Sequence, residues 1–435
     1  MRLFLRSRLK LTLSLCAVLT LFLALLVSIK GAAYAAGTAS SPSRTTNWSQ
    51  FEFNAQHTGF NPHETVLNRS NVSGLKLNWQ YTNRGNVYSS AAVVNGVIYF
   101  GSTNDKFYAL NVATGAFKWS YATSESIDSS PAVIKGIVYF GSENGNLYAL
   151  NASNGKFKWS YTTDGAINSS PAVVNGVVYF GSADGKLYAL NASTGAFEWS
   201  YTTGGIINSS PAVDAGIVYI GSNDASVYAL DATSGTLKWS YSIKNGYNII
   251  NSSPAVANGD VYVGSYDIQG SDTNLYALNA TTGTLQWTYS VSGCGIDSAP
   301  TVAGGVVYVG SDGSGGYEDG CFANANLFAL NATTGTLVWS TYIGGPDSSN
   351  NSSPIIANGV LYVGSNDFDH TNTGGYAMWY AIDLSSGNVL WSRLDNAPHH
   401  GPTTYPNPAP VVVNGVLYIS SGAYNGWMHS FHLAS

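Results

Sequence analysis

Tryptophan recurs along this chain at nearly constant intervals, and no other feature restricts the fold so strongly. Trp79, Trp119, Trp159, Trp199, Trp239, Trp287, Trp339 and Trp391 stand 40, 40, 40, 40, 48, 52 and 52 residues apart. A second marker, Tyr-x-Gly-Ser, returns at Tyr99, Tyr139, Tyr179, Tyr219, Tyr262, Tyr308 and Tyr362, with a degenerate eighth copy from Tyr418 to Ser421. Tandem repetition at this period means one supersecondary unit copied many times, each burying its apolar faces against its neighbours.

One copy, Ser169 to Thr202, divides into four short strands. Ser169–Val174 precedes an Asn175-Gly176 turn, Val177–Gly181 ends in a polar loop at Asp184-Gly185, and Leu187–Leu190 and Phe197–Thr202 follow. Asn-Gly between apolar runs marks a hairpin. The runs are Val-, Ile- and Tyr-rich and too short for helices. Four strands every ~40 residues predict an all-β, eight-bladed β-propeller of four-stranded antiparallel blades. The last unit stops after its third strand, while Leu75–Thr82 precedes the first complete unit. This N-terminal strand is therefore expected to close the ring as the outer strand of blade eight, removing a free sheet edge.

The segment Ala189-Leu-Asn191-Ala-Ser-Thr194-Gly195-Ala-Phe-Glu-Trp199 resembles the tryptophan-docking motif of the pyrroloquinoline-quinone (PQQ) repeat family. Close copies begin at Ala109, Ala149, Ala229, Ala277, Ala329 and Ala381, and Asn54–Pro62 is similar to the family's lead-in segment. The resemblance implies an eight-bladed propeller and two functional classes. One is the quinoprotein dehydrogenases, which hold PQQ and Ca²⁺ on the propeller axis. The other is non-catalytic, and includes the lipoprotein of the outer-membrane β-barrel assembly machinery, which binds partner proteins. The dehydrogenases stack their quinone on a disulfide between adjacent cysteines. This chain has no Cys-Cys pair, so it resembles the non-catalytic members more closely; no cofactor is expected, and PQQ with Ca²⁺ is the alternative.

Repeat length varies selectively. Pro131 to Tyr139 is eight residues, and the offset holds from Pro171 to Pro410, so the first-to-second strand turn is constant. The excess instead falls in second-to-third strand loops and between blades, over blades five to eight. In an up-and-down blade these connections leave one end, which predicts a single face carrying the insertions, a common mark of a binding side. Candidates on that face are Asp267, Tyr317, Tyr376, Trp379, His399, His400, Tyr405 and Trp427. Their aromatics make glycan binding a third reading. Asp312, Glu318, Asp319, Asp367 and Asp369 offer oxygen ligands for a metal, yet no EF-hand spacing appears, and a solvated acidic loop serves as well. Cys294 and Cys321 are expected to form a disulfide in an exported chain. The eight repeated tryptophans are read as docking residues between blades, because one site cannot need eight copies.

Composition supplies the address. Charged residues are only 10% of the 435, and the net charge of −6 leaves no basic footprint for nucleic acid. Arg2, Arg6, Arg8, Lys10 and Lys30 are the only charges in the first thirty residues, around the apolar Leu11–Ile29 and ahead of Ala33-Tyr34-Ala35. This reads as an export signal or, if uncleaved, an N-terminal membrane anchor. Residues 1–36 are thus assigned to signal or anchor, 37–74 to a linker and lead-in segment, and 75–435 to the propeller. The expected protein is a secreted or surface-anchored monomer that binds an unknown protein or cell-surface ligand, touching membrane only through its N-terminus.

Overall fold

Asn175 and Gly176 both have positive φ, 52° and 87°, the type I′ hairpin that matches the twist of adjoining strands. The same two positions are positive in the other blades, even where Lys135-Gly136 or Ala215-Gly216 replaces Asn-Gly. The turn therefore follows from backbone twist rather than from one dipeptide. In the computed structural model, described for residues 46–243, 248–267, 273–291, 295–312, 324–346, 352–367, 375–399, 408–421 and 426–434, each such hairpin begins a blade. Blade three runs in order through Ala172–Val174, Val177–Gly181, Lys186–Asn191 and Phe197–Thr202.

Eight such antiparallel sheets form the ring. In the eighth, Val411–Val413, Val416–Ser420 and Trp427–Leu433 are completed by Leu75–Thr82, which pairs antiparallel with the third strand. The expected closure is what the structure shows. Trp79 on that strand then docks blade one: its Nε1 donates to the Val112 carbonyl at 3.0 Å.

Each docking tryptophan does two things at a blade boundary. Trp159 Nε1 donates to the Ala192 carbonyl at 3.2 Å, and the Tyr139 hydroxyl donates to the same oxygen at 2.9 Å. Its indole lies flat against Gly195, where an added Cβ would sit 2.7 Å from Cδ2. Gly195 also has φ +73°, so the motif needs glycine for both backbone and space. Trp119, Trp199, Trp239 and Trp287 repeat the bond to Ala152, Ala232, Ala280 and Ala332. Trp339 uses the Leu384 carbonyl. Trp391 faces blade eight, which has no third-to-fourth strand turn, and meets Phe431 edge-on at 5.7 Å instead.

A second contact recurs nearer the insertion side. Tyr161 of blade two packs on Tyr188 of blade three at 5.7 Å, and Tyr81–Tyr108, Tyr121–Tyr148, Tyr201–Tyr228, Tyr241–Tyr276 and Tyr289–Phe328 do the same elsewhere.

Two expectations are corrected. The first strand was read as Ser169–Val174, but the ladder covers only Ala172–Val174. Pro171 has no N–H for a ladder, and the two serines before it bond around the axis instead. The excess of blades six and seven was assigned wholly to loops. Part of it lengthens strands: Leu337–Pro346 and Val389–His399 run ten and eleven residues, against six in Phe197–Thr202. They extend past the regular blades at the end opposite the type I′ turns.

Candidate functional site: the axial channel and the inserted face

The inner strand of every blade has one edge toward the axis, with a backbone N–H that its own sheet leaves unpaired. An open edge of this kind calls for a partner. The lead-in segment supplies one blade after blade. Val93 exchanges both backbone bonds with Trp48; Val133 N–H donates to Ser49 O and Val173 N–H to Gln50 Oε1. Val213, Val256, Val302 and Ile356 donate to the carbonyls of Ala55, Gln56, Thr58 and Gly59. Asn61 finishes the circuit by donating from Nδ2 to the Val412 carbonyl at 2.8 Å. Residues 48–61 thus visit all eight inner strands in order and fill the channel at the turn side. Asn54–Pro62 was legible as a family lead-in; its role as an axial plug was not, because the unpaired edges exist only once the ring forms.

Making that circuit in so few residues requires Glu52, Phe53 and His57 to take φ of 52°, 75° and 55°. Glu52 is 1% exposed, and burial pushes its carboxyl well above the usual range, with the hydroxyls of Ser353 and Thr301 partly offsetting this. His57 is buried with Nδ1 3.2 Å from the Pro254 carbonyl, and burial lowers its pKa to about 4. Because the folded state holds the Glu52 proton more tightly than the unfolded chain, its contribution is fully present below the unfolded carboxyl range. It is lost as pH rises toward the folded value. Glu52→Gln is therefore expected to flatten the decline of stability between pH 5 and pH 8. Chemical denaturation midpoints of both proteins at the two pH values test this; parallel pH profiles would refute it.

Toward the other end the channel wall is serine. Ser130 N–H donates to Ser170 Oγ, Ser170 N–H to Ser210 Oγ, and Ala409 N–H to Ser90 Oγ across the closure. The preceding serine of each pair joins its neighbour's backbone, as when Ser129 Oγ donates to Ser169 O, and it accepts from the glycine of Tyr-x-Gly-Ser. Both repeated serine motifs are structural. The next layer outward carries Tyr88, Asp128, Asn168, Asn208, Asn251 and Asp297 at equivalent positions. Burial, and then the charge of Glu143, raises Asp128 to about 7; burial likewise raises Asp297, against a bond from Asn251.

The sequence-selected residues distribute unevenly. Asp367 pairs with Tyr376, and His399 with Gly375, at the far ends of the lengthened strands, while Asp267 pairs with Asn248 in a short ladder. Asp312 is 3% exposed and bridges backbone to Gly295, a poor position for a solvent-facing ligand. Trp427 is half-buried against His429. Trp379 is a correction: read as a surface aromatic near a variable loop, it is 2% exposed, because it lies in Gly375–Asp383 on the side facing blade eight. It cannot be a glycan platform. Tyr317, Glu318, Asp319, Asp369, His400, Tyr405, Cys294 and Cys321 lie outside the described residues. Among the described residues no cluster of three His, Cys, Asp or Glu could hold a metal, and no helix is long and apolar enough to cross a membrane.

No curated protein matches the sequence significantly. Solved structures match the fold. BamB from Moraxella catarrhalis has TM-score 0.64 and 18% identity, covering 82% of this chain and 99% of that one. A europium-containing methanol dehydrogenase has TM-score 0.71 at 15% identity, covering 89% and 98%. A quinohemoprotein alcohol dehydrogenase from Comamonas testosteroni has TM-score 0.66 at 18%, covering 88% and 80%. At these identities the likeness is one of fold alone. The family model for outer membrane protein assembly factor BamB, however, matches residues 65–205, 162–264 and 242–434. With that match running through every blade, the chain belongs to the family of outer membrane protein assembly factor BamB.

Proposed function

We propose that the chain is an extracytoplasmic binding scaffold whose inserted face, over blades five to eight, takes a protein or cell-surface ligand. Residues 1–36 act as its export signal or anchor. The observation that carries this reading is the division of labour between the two ends. The turn side is occupied by the chain's own lead-in segment, bonded to every inner strand. At the opposite end, blades six and seven extend Leu337–Pro346 and Val389–His399 beyond the regular blades. Irregular additions on one end of a repeat scaffold are where such folds place recognition.

The quinone alternative is supported by the fold shared with the two dehydrogenases. The described axial residues suit the cofactor poorly. PQQ carries three carboxylates, whereas the equivalent positions Tyr88, Asp128, Asn168, Asn208, Asn251 and Asp297 include two acids and no base. Stoichiometric uptake of PQQ with Ca²⁺ by the purified protein, with dye-linked alcohol oxidation, would overturn the scaffold reading.

The scaffold reading is tested by a photo-crosslinking residue placed in turn at Tyr342, Leu394 and Lys135, all exposed. The first two lie on the lengthened strands and the third in a type I′ turn. In producing cells, discrete adducts are expected from Tyr342 or Leu394 and none from Lys135. Adducts confined to Lys135 would place recognition at the wrong end.

A further inference from the structure

Apolar side chains stand on the outer wall of the ring where solvent reaches them. Two residues before its docking tryptophan every blade carries a large apolar residue, 40–54% exposed, from Leu77 through Val389. In blades one to three it is phenylalanine, more than half exposed at Phe117, Phe157 and Phe197. Each opens an outer strand, Phe117–Ala122, Phe157–Thr162 or Phe197–Thr202, directly after the third-to-fourth strand turn. That turn meets the type I′ turn of its own blade, as when Ala152 N–H donates to the Gly136 carbonyl, so the phenylalanines lie at the turn end.

Charge singles out one sector of this rim. Lys118, Lys156 and Lys158 flank Phe117 and Phe157, Lys135 occupies the type I′ turn of blade two, and Lys76 lies on the closing strand that docks blade one. All five are exposed, and among the described residues none forms a salt bridge. The turn-end segments of blades one and two, residues 94–97, 111–118, 134–137 and 151–158, contain no acid. On one side, Glu64 of the lead-in segment is buried and accepts from the N–H groups of Val66, Leu67 and Gly415. On the other, Glu198 follows Phe197 and bounds the sector at blade three. The opposite end of the same blades carries Asp105, Glu125, Asp128 and Glu143 against Arg84 and Lys106.

The chain enters the fold at the same place. Thr46 N–H donates to Asn414 Oδ1 and Asn414 Nδ2 donates to Thr46 O, both at 2.9 Å, while Asn95 N–H donates to Asn47 Oδ1 at 3.0 Å. Thr46 and Asn47 are thus clamped between the type I′ turns of blades eight and one. Residues 1–45, with their apolar stretch Leu11–Ile29, join the fold there and nowhere else.

We propose that the turn-end rim of blades one and two rests on an anionic phospholipid bilayer, a contact beyond the N-terminal one expected from the sequence. Aromatic rings enter the boundary between head groups and acyl chains, while lysines lay their stems along it and keep their charges at the head groups. Each lysine near an anionic surface adds to the attraction. A protein partner needs a contiguous complementary patch. Phe117 and Phe157 stand instead on separate blades of a convex wall, to which fluid lipid conforms. This contact and the scaffold reading concern opposite ends of the ring, so either can fail without the other.

The experiment places a benzophenone photo-crosslinking residue at Phe157, Leu285 or Ser124 of the full chain. Leu285 holds the same rim position in blade five without a lysine beside it, and Ser124 is exposed at the insertion end. The proteins are irradiated with vesicles of phosphatidylcholine, alone or mixed with phosphatidylglycerol, and lipid adducts are identified by mass. In mixed vesicles Phe157 is expected to give roughly tenfold more lipid adduct than Leu285 or Ser124, and to lose most of it in phosphatidylcholine alone. Replacing Lys118, Lys156 and Lys158 together by Gln should lower the Phe157 yield by about tenfold with the melting transition unchanged. Equal yields at the three positions would show that the N-terminal tether alone brings lipid near, and would overturn the assignment. So would a yield indifferent to phosphatidylglycerol and to the lysines, or adducts from Phe157 to a second copy of the chain in place of lipid.

Discussion

A chain beginning at Asn83 is expected to yield no folded monomer, whereas one beginning at Thr46 folds as the full protein does. The shorter form lacks Leu75–Thr82, so Trp427–Leu433 becomes the open edge of a three-stranded blade. Exposed edges of this kind template association. It also lacks Trp79, whose bond to Val112 and packing on Gly115 join blade eight to blade one. Finally it loses residues 48–61, leaving the inner-strand N–H groups of Val93, Val133, Val213, Val256, Val302 and Ile356 without acceptors. Each such loss costs about 1–3 kcal/mol where water is excluded, against a total stability of about 5–15 kcal/mol. Size-exclusion chromatography and circular dichroism decide the matter. A monomeric Asn83 form melting within a few degrees of the Thr46 form would show that the ring holds without its closure.

Trp159→Ala is expected to cost about 3–5 kcal/mol, the usual range for deleting a large buried aromatic side chain. The residue is 8% exposed and fills the space over Gly195 between blades two and three. Trp159→Phe should cost far less. It keeps most of the ring contact and forfeits a bond whose net value is about 1 kcal/mol, and the Ala192 carbonyl still accepts from the Tyr139 hydroxyl. Gly195→Ala should approach the severity of Trp159→Ala, since the new Cβ would overlap the indole and strain a residue at φ +73°. Denaturant midpoints for the three variants check the ordering. A Trp159→Ala protein within 1 kcal/mol of the parent would remove the docking contact from any central role.

The candidate site was less readable than the ring, and the errors have definite causes. Trp379 looked like a surface aromatic because it stands beside a long insertion in the sequence. In fact the strand continues through it, and strand parity directs it into the neighbouring blade. Glu52 gave no signal at all: a lone acid in a polar lead-in segment reads as solvated until the channel around it is built.

The sequence by itself determined whatever depends on neighbours along the chain: the four-strand unit, its type I′ turns, the number of blades and the strand offered for closure. These are local because turn chemistry, alternation and repeat period act over a few residues to a few tens. The tertiary structure alone decided which polar groups lost water. Closing eight sheets into a ring brings eight strand edges to one axis, where residues 48–61 satisfy them. The same closure removes from blade eight the turn whose carbonyl would serve Tyr362 as Ala192 serves Tyr139, so the Tyr362 hydroxyl is buried with no partner among the described residues. Desolvation depends on the whole enclosure, and no stretch of sequence contains it.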